Sequence, residues 1–373
     1  MVYLDCAATS LQKPQEVSYA VSRAMSTMAS PGRGCHKPAM LAADCVLNCR
    51  MMLASYFNVP EPESVIFTYN ATHGLNIAIN SLVSEGDRVV ISGYEHNSVT
   101  RPLKARGADV HVARSELFNK SAALEAFRKA LPGAKCAVCS HVSNAFGFIL
   151  PIREISALCH QSGVPLIVDA SQSAGAIPLD FAQLDAAFIA MPGHKGLLGP
   201  QGTGVLLCNS EVFPVLYGGT GSNSATNLMP DFLPDRLEAG THNVAGIAGL
   251  AQGVKFIISK PSDAIVKHEK KLCSALAEKI SGIPDLKLFY DEGMNMQSGV
   301  LSVMSGRIGS DELAEKLGKA GICVRAGLHC APTAHETVGT IEEGTVRFSF
   351  SPFNTLSEVD YAGDVLKKVL NTL

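Results

Sequence analysis

Residues 134–170 read AKCAVCSHVSNAFGFILPIREISALCHQSGVPLIVDA. Two short apolar runs, AKCAVCSHV and PLIVDA, flank IREISALCHQSG, whose apolar residues recur at intervals of three and four. Apolar character on both faces of the runs, with helical spacing between them, predicts a buried strand, a covering helix and a second, parallel strand. The alternation continues in both directions. SVIFTY, DRVVIS and ADVHVA come before the segment and AAFIAM and TGVLLCN after it, with ALEAFRKAL as a further helical stretch. The whole predicts an α/β fold with a mainly parallel central sheet flanked by helices on both faces. Beyond about residue 255 the order changes. SDAIVKHEKKLCSALAEKISGI reads as a long amphipathic helix, followed by strands near 286–290 and 299–304, another helix, and short strands near 322–325 and 345–350. That order predicts a smaller C-terminal α+β domain.

The composition sets outer limits on function. A chain of 373 residues, 47% hydrophobic and 17% charged, belongs with compact proteins of about two domains. A net charge of −3 and the lack of a Lys/Arg cluster argue against a nucleic-acid partner. No apolar run is long enough to span a bilayer, and MVYLDCAATS lacks the features of a signal peptide, so the expected location is the cytoplasm, with no membrane partner. The 11 cysteines are then expected to be reduced thiols. Cys136 and Cys139 form a C-x-x-C, but within a predicted buried strand and with no second ligand pair, so no metal site is expected.

Ligands of open α/β sheets bind beyond the carboxyl ends of the strands. There the chain places Asn70-Ala71-Thr72-His73-Gly74 ahead of a helical LNIAINSL, Tyr94 to Ser98, His141 to Asn144, and Asp169 followed by Gln172. Thr72 is expected to cap the helix, whose free N–H groups suit an anion. After AAFIAM comes the glycine-rich run AMPGHKGLLGPQGTG, residues 190–204, with Lys195 behind His194. Taken singly, each polar group also fits a turn former, and Lys195 a solvated loop lysine. A lysine amine, an acid able to keep a ring nitrogen protonated and a phosphate cradle are together what pyridoxal phosphate (PLP) requires. This chemistry leaves the substrate open. YGGTGSNSATN, residues 217–227, is expected to be a flexible loop, either a plain surface connection or a segment near a site.

The ordered motifs YLDCAAT, ATHG, EHNS, HVSN, VDASQS, GHK, EAGTHN and RAGLHCAP resemble the cysteine desulfurases of the class V aminotransferase superfamily over nearly the whole chain. The resemblance implies a fold-type I PLP-dependent transferase, a homodimer with active sites at the subunit interface. It also implies an N-terminal arm, residues 1–15, packed near the active site and small domain, a large PLP-binding domain over 16–255, and a small domain over 256–373 carrying the catalytic cysteine loop. Lys195 would hold PLP and shuttle a substrate proton, Asp169 would pair with the pyridine nitrogen, His96 would stack on the ring, and Gln172 would reach the ring oxygen. Ala71, Thr72 and His194 would hold the phosphate, with Thr241 of EAGTHN entering from the other subunit. Asn144 and Arg347, with Arg325 nearby, would bind the substrate carboxylate, Asn144 also touching the cofactor; a guanidinium offers a planar carboxylate paired donors.

In the family's chemistry the thiol matching Cys330 takes the sulfur of L-cysteine as a persulfide, releasing alanine. Such a thiol needs a nearby cation or proton acceptor. His329 is its neighbour in sequence, and Arg325 is close. The short interval from Cys330 to Arg347 resembles the branch whose cysteine loop is ordered and whose sulfur passes to an acceptor protein. A selenocysteine lyase or other C–S lyase on the same scaffold is the alternative, and a sulfur-carrying scaffold without turnover is a third. The chain departs from the family pattern at Cys6, at Cys35 and at Pro192, where a phosphate-binding serine is common. The cradle is therefore expected to lean on Thr72, His194 and Thr241.

Overall fold

The computed structural model describes residues 1–32 and 34–372. A short β1 (Val2–Tyr3) and helices α1 (Gln15–Thr27) and α2 (Lys37–Phe57) come first. Strands and helices then alternate: β2 (Val65–Thr68), α3 (Ala71–Leu82), β3 (Arg88–Ser92), α4 (Asn97–Ala105), β4 (Asp109–Ala113), α5 (Lys120–Ala130), β5 (Cys136–Ser140), α6 (Ile152–Gln161) and β6 (Leu166–Asp169). After the short α7 (Phe181–Leu184), β7 (Phe188–Pro192) and β8 (Gly204–Cys208) complete a seven-stranded sheet of order β2-β8-β7-β6-β5-β3-β4. Pairing is parallel from β7 through β4. Only β8 runs against its neighbours, β2 and β7.

Side chains of successive strand residues point to opposite faces, and two core clusters follow from that period. Leu166 and Val168 of β6 pack into the cluster that includes Leu53 of α2 and Ile155 of α6, whereas Ile167 joins the cluster of α3 and α4 residues Leu75 and Leu103. Cys136 and Cys139, three apart on β5, fall into different clusters on opposite faces of the sheet. Their two sulfurs cannot share one ligand. Helix α8 (Val244–Ile258) packs on α1 and α2, and Gly253, whose Cβ would lie 2.3 Å from the Leu197 carbonyl oxygen, lets it approach the loop after Lys195.

The remainder is α9 (Ala264–Ile280), β9 (Leu286–Phe289), β10 (Val300–Ser305), α10 (Ser310–Lys319), β11 (Ile322–Cys323), β12 (Arg325–Gly327), α11 (Pro332–Val338), β13 (Thr345–Ser349) and α12 (Leu356–Asn371). The antiparallel sheet β12-β13-β10-β9 shares a third core cluster with α9, α10 and α12. The N-terminus joins this unit. β1 pairs in parallel with β11, Leu4 is in the same core, and Asp5 bridges to Ser349. On β13, Val346 and Phe348 enter that core. Arg347 therefore points to the other face, in register with Arg325 on β12. Residues 217–227 contain no helix or strand, and no helix among the described residues is long and apolar enough to cross a membrane.

Candidate active site

The ends of β2, β3, β5, β6 and β7 open onto one cleft of about 680 Å³, lined among others by Thr72, His96, Asn144, Asp169, His194 and Lys195. At one side stands the first turn of α3. Its cap is Asn70, not Thr72: the Asn70 side chain accepts the His73 N–H at 2.9 Å. Asn reaches from the extended N-cap position to the third helical N–H, whereas Thr72 already lies inside the helix. The N–H groups of Ala71 and Thr72 have no intrahelical partners, and the positive end of the helix adds to them. The Thr72 and Ser98 hydroxyls lie 2.7 Å apart beside these groups. His194 closes the cradle, its ring tied by Nδ1 to Thr9 Oγ1 at 3.0 Å and its carbonyl accepting the Ser10 N–H, also at 3.0 Å. Burial and the adjacent Lys195 hold its pKa down at about 4, so the ring is neutral.

Across the cleft, Asp169 ends β6 with only 4% of its surface exposed. One carboxylate oxygen accepts the Ser171 N–H at 2.9 Å and the Ser171 hydroxyl, and the other is free. Burial pushes the Lys195 amine down to about 8; Asp169 opposes that shift and Arg347 adds to it. A fraction of the amines is thus unprotonated and nucleophilic at neutral pH. His96, the N-cap of α4, receives the Ser98 N–H on Nδ1 at 3.0 Å. Burial lowers its pKa, only partly offset by Asp169. Gln172 uses one amide hydrogen on the Ala7 carbonyl at 2.8 Å, which ties the N-terminal segment to the cleft floor.

The sheet β12-β13-β10-β9 and the loop after β12 meet the cleft at a chain of hydrogen bonds. Arg347 Nη1 donates to the Asn144 carbonyl at 3.0 Å, and Asn144 Nδ2 donates to the His329 carbonyl at 2.7 Å. The Cys330 carbonyl accepts the Asn97 N–H at 2.7 Å. Both His329 (φ 51°) and Cys330 (φ 57°) are left-handed, a conformation that costs non-glycine residues energy and turns consecutive side chains apart. Cys330 is exposed. His329 is buried, its Nε2 at 3.0 Å from Thr345 Oγ1, and burial with Arg347 drives its pKa to about 2. His329, adjacent in sequence, is buried while the thiol beside it is exposed, so the two neighbours do not face the same way.

A class-V aminotransferase family model matches residues 2–362. The chain belongs to the cysteine desulfurase branch of the class-V aminotransferase family. It is 32% identical over 389 residues to a probable cysteine desulfurase of Pyrococcus abyssi, covering 100% of this chain and 95% of that one. It is also 32% identical over 385 residues to one from Methanothermobacter thermautotrophicus, covering 99% and 94%. Among solved structures it is similar to the apo cysteine desulfurase of Thermococcus onnurineus NA1, with a TM-score of 0.92, 30% identity and coverage of 100% and 95%. The cysteine desulfurase CsdA (S-sulfonic acid) of Escherichia coli is a further neighbour, with a TM-score of 0.88, 26% identity and the same coverage. The mainly parallel sheet is thus that of the fold-type I enzymes of this family.

Within the family frame, Ala71, Thr72, His96, Asn144, Asp169, Gln172, His194 and Lys195 gather at one cleft. Thr241 does not. It is exposed and lines a second cleft with Tyr69, Gly202 and His242. Cys6 is half-buried beside Ser351, and burial pushes its thiol up to about 12. Cys35 is exposed. Three residues take part that the sequence left without an individual role. Ser98 supplies the cradle hydroxyl that Pro192 lacks, and its place in EHNS at a strand end was the available signal. Glu95, in the same motif, is fully buried and accepts the Ser140 N–H and hydroxyl, both at 2.7 Å, and the Ser92 hydroxyl. Asp5 has no local signal at all, because its partners Arg325 and Arg347 lie more than 300 residues away.

Proposed function

We propose that this chain is a PLP-dependent cysteine desulfurase that converts L-cysteine to L-alanine and leaves the sulfur as a persulfide on Cys330. The observation that carries this reading is an exposed thiol, presented from a left-handed turn, whose loop is tied through Asn97 and Asn144 to the cleft holding a partly neutral lysine. The donor set fits the cofactor. The Ala71 and Thr72 N–H groups, the Thr72 and Ser98 hydroxyls and His194 would take the phosphate, the free oxygen of Asp169 would take the pyridinium N–H, and the His96 ring would cover a ring face. The second amide hydrogen of Gln172 is left for the ring oxygen. When bound, PLP supplies an electron sink beside the substrate's α-carbon.

The chain's own groups supply the rest. Lys195 holds the cofactor covalently and, as a free amine, takes and returns the proton at the substrate's α-carbon. Cys330 Sγ bonds to the substrate sulfur as the bond from that sulfur to the β-carbon breaks, and the electron pair stays with carbon. Of the two thiol hydrogens, one ends on the methyl group of alanine and one on the persulfide, so the atoms balance. Exposure of Cys330 supports delivery of the persulfide sulfur to an acceptor protein. A homodimer is supported by the exposed Tyr19, Met25, Met40, Leu47 and Met51 of α1 and α2, and by the exposure of Thr241 away from its own cleft.

The test is release of alanine and sulfide from L-cysteine by the PLP-loaded protein in reductant. Cys330→Ala should stop both. Release by Cys330→Ala at the wild-type rate would remove that thiol from the reaction.

A further inference from the structure

Arg325 and Arg347 lie side by side across β12 and β13, one half-exposed and the other 2% exposed. One carboxylate serves both. Asp5 Oδ2 accepts from Arg325 Nη2 at 2.8 Å and Nε at 3.1 Å, while Oδ1 lies 3.2 Å from Arg325 Nε and 3.0 Å from Arg347 Nη2. With two guanidiniums and one carboxylate, the cluster is one anion short. The deficit is located. Arg347 Nη1 is satisfied by the Asn144 carbonyl and Nη2 by Asp5, but Nε is buried without a partner. A guanidinium takes a carboxylate most strongly along a two-donor edge. The Nε–Nη2 edge of Arg347 is half empty, and Asp5 occupies the other half.

We propose that Asp5 is a placeholder for the substrate's carboxylate: an amino acid entering the cleft takes the Nε–Nη2 edge of Arg347, and Asp5 withdraws onto Arg325, which already holds both its oxygens. Each guanidinium then has one carboxylate, and neither Arg347 nor Asp5 is left buried and unpaired, a state that is costly in a protein interior. Asp5 and Arg325 are positioning residues, and of the two arginines only Arg347 binds the substrate carboxylate. The exchange selects for ligands with a free α-carboxylate, because a neutral amide or ester cannot replace Asp5. The inference rests on the reading of the cleft as an amino-acid site and goes beyond it in assigning Asp5.

The experiment is titration of the PLP-loaded protein with L-alanine, the proposed product, following the cofactor absorbance. Arg325→Gln deprives Asp5 of its retreat, and L-alanine should bind about tenfold more weakly. Adding Asp5→Asn to that variant should restore the affinity, because the competitor has gone. Arg325→Lys keeps a cation for Asp5 and should stay within about threefold of wild type, which covers the case in which Asp5→Asn does not fold. No restoration in a folded double variant, or an equal loss in Arg325→Lys and Arg325→Gln, would show that Arg325 itself binds the substrate and would overturn the proposal. Sulfide release by the wild type from L-cysteine reports separately on the desulfurase reading.

Discussion

Replacing Glu95 with glutamine should stabilise the folded chain above neutral pH and have little effect in acid. Glu95 is fully enclosed at the ends of β3 and β5, accepts three hydrogen bonds from Ser92 and Ser140, and has no cation among its partners. Burial raises its pKa from 4.5 to about 7, against the pull of those hydrogen bonds. In the interval between those values the folded state holds a proton that the unfolded chain has released, so stability falls as pH rises through the interval and is level outside it. The gap corresponds to roughly 3 kcal/mol of disfavoured ionisation above pH 7. Glutamine keeps an acceptor for Ser92 and the Ser140 N–H, and its NH₂ can donate to the Ser140 hydroxyl. Denaturant unfolding of wild type and Glu95→Gln at a series of pH values isolates this group, because every other titration cancels in the difference. The variant should be more stable by about 3 kcal/mol at pH 8, with the difference falling below about 1 kcal/mol at pH 5 and vanishing near pH 3. A pH-independent difference, or a variant weaker at pH 8 than at pH 5 relative to wild type, would refute the reasoning.

Other consequences follow from the same structure. In cofactor-free protein, Lys195 should react with an amine-directed reagent with a midpoint near pH 8, and Asp169→Asn should lower that midpoint because the carboxylate favours the ammonium. A midpoint with the bulk lysines, near pH 10, would contradict the enclosure of the amine. Arg50 forms two bonds to Glu238, at 2.9 and 2.7 Å, inside the protein, and Glu238 also accepts from Phe67 N. Arg50→Met should cost about 3 kcal/mol in denaturant unfolding, since it leaves the buried carboxylate with His242, 2.6 Å away, as its one remaining basic partner. Loss of less than about 1 kcal/mol would mean the pair is solvated. Asn70→Ala should cost about 1 kcal/mol through the lost α3 cap and weaken PLP binding in an equilibrium titration. If Thr72→Ala instead carried the capping loss, the cap assignment would be wrong.

Periodicity made the α/β frame readable in the chain, since β5, α6 and β6 each bury what their spacing indicates. The cleft residues were readable for a related reason. In a parallel sheet the strand ends converge, so Thr72, Asn144, Asp169 and Lys195 needed only their positions after apolar runs. What stayed hidden depended on direction or distance. Cys136 and Cys139 look like a pair in one dimension, but a strand turns them to opposite faces. His329 and Cys330 are adjacent, yet left-handed backbone at both sends one ring inward and leaves the thiol outside. The reversed direction of β8 has no local signal, because a fully buried strand reads the same either way. Asp5 shows the distance problem most clearly, as the pairing of β1 with β11 and its own bridge to Ser349 bring it to the arginines.

The central claim is that Cys330 receives the sulfur. The most direct measurement is peptide mass spectrometry of the PLP-loaded protein after a single turnover of L-cysteine without reductant, with alanine quantified in the same sample. The peptide containing Cys330 should carry the mass of one added sulfur, in proportion to the alanine formed, and those containing Cys6 and Cys35 none. Alanine formed with Cys330 unmodified, or with the added sulfur on Cys6 or Cys35, would contradict it.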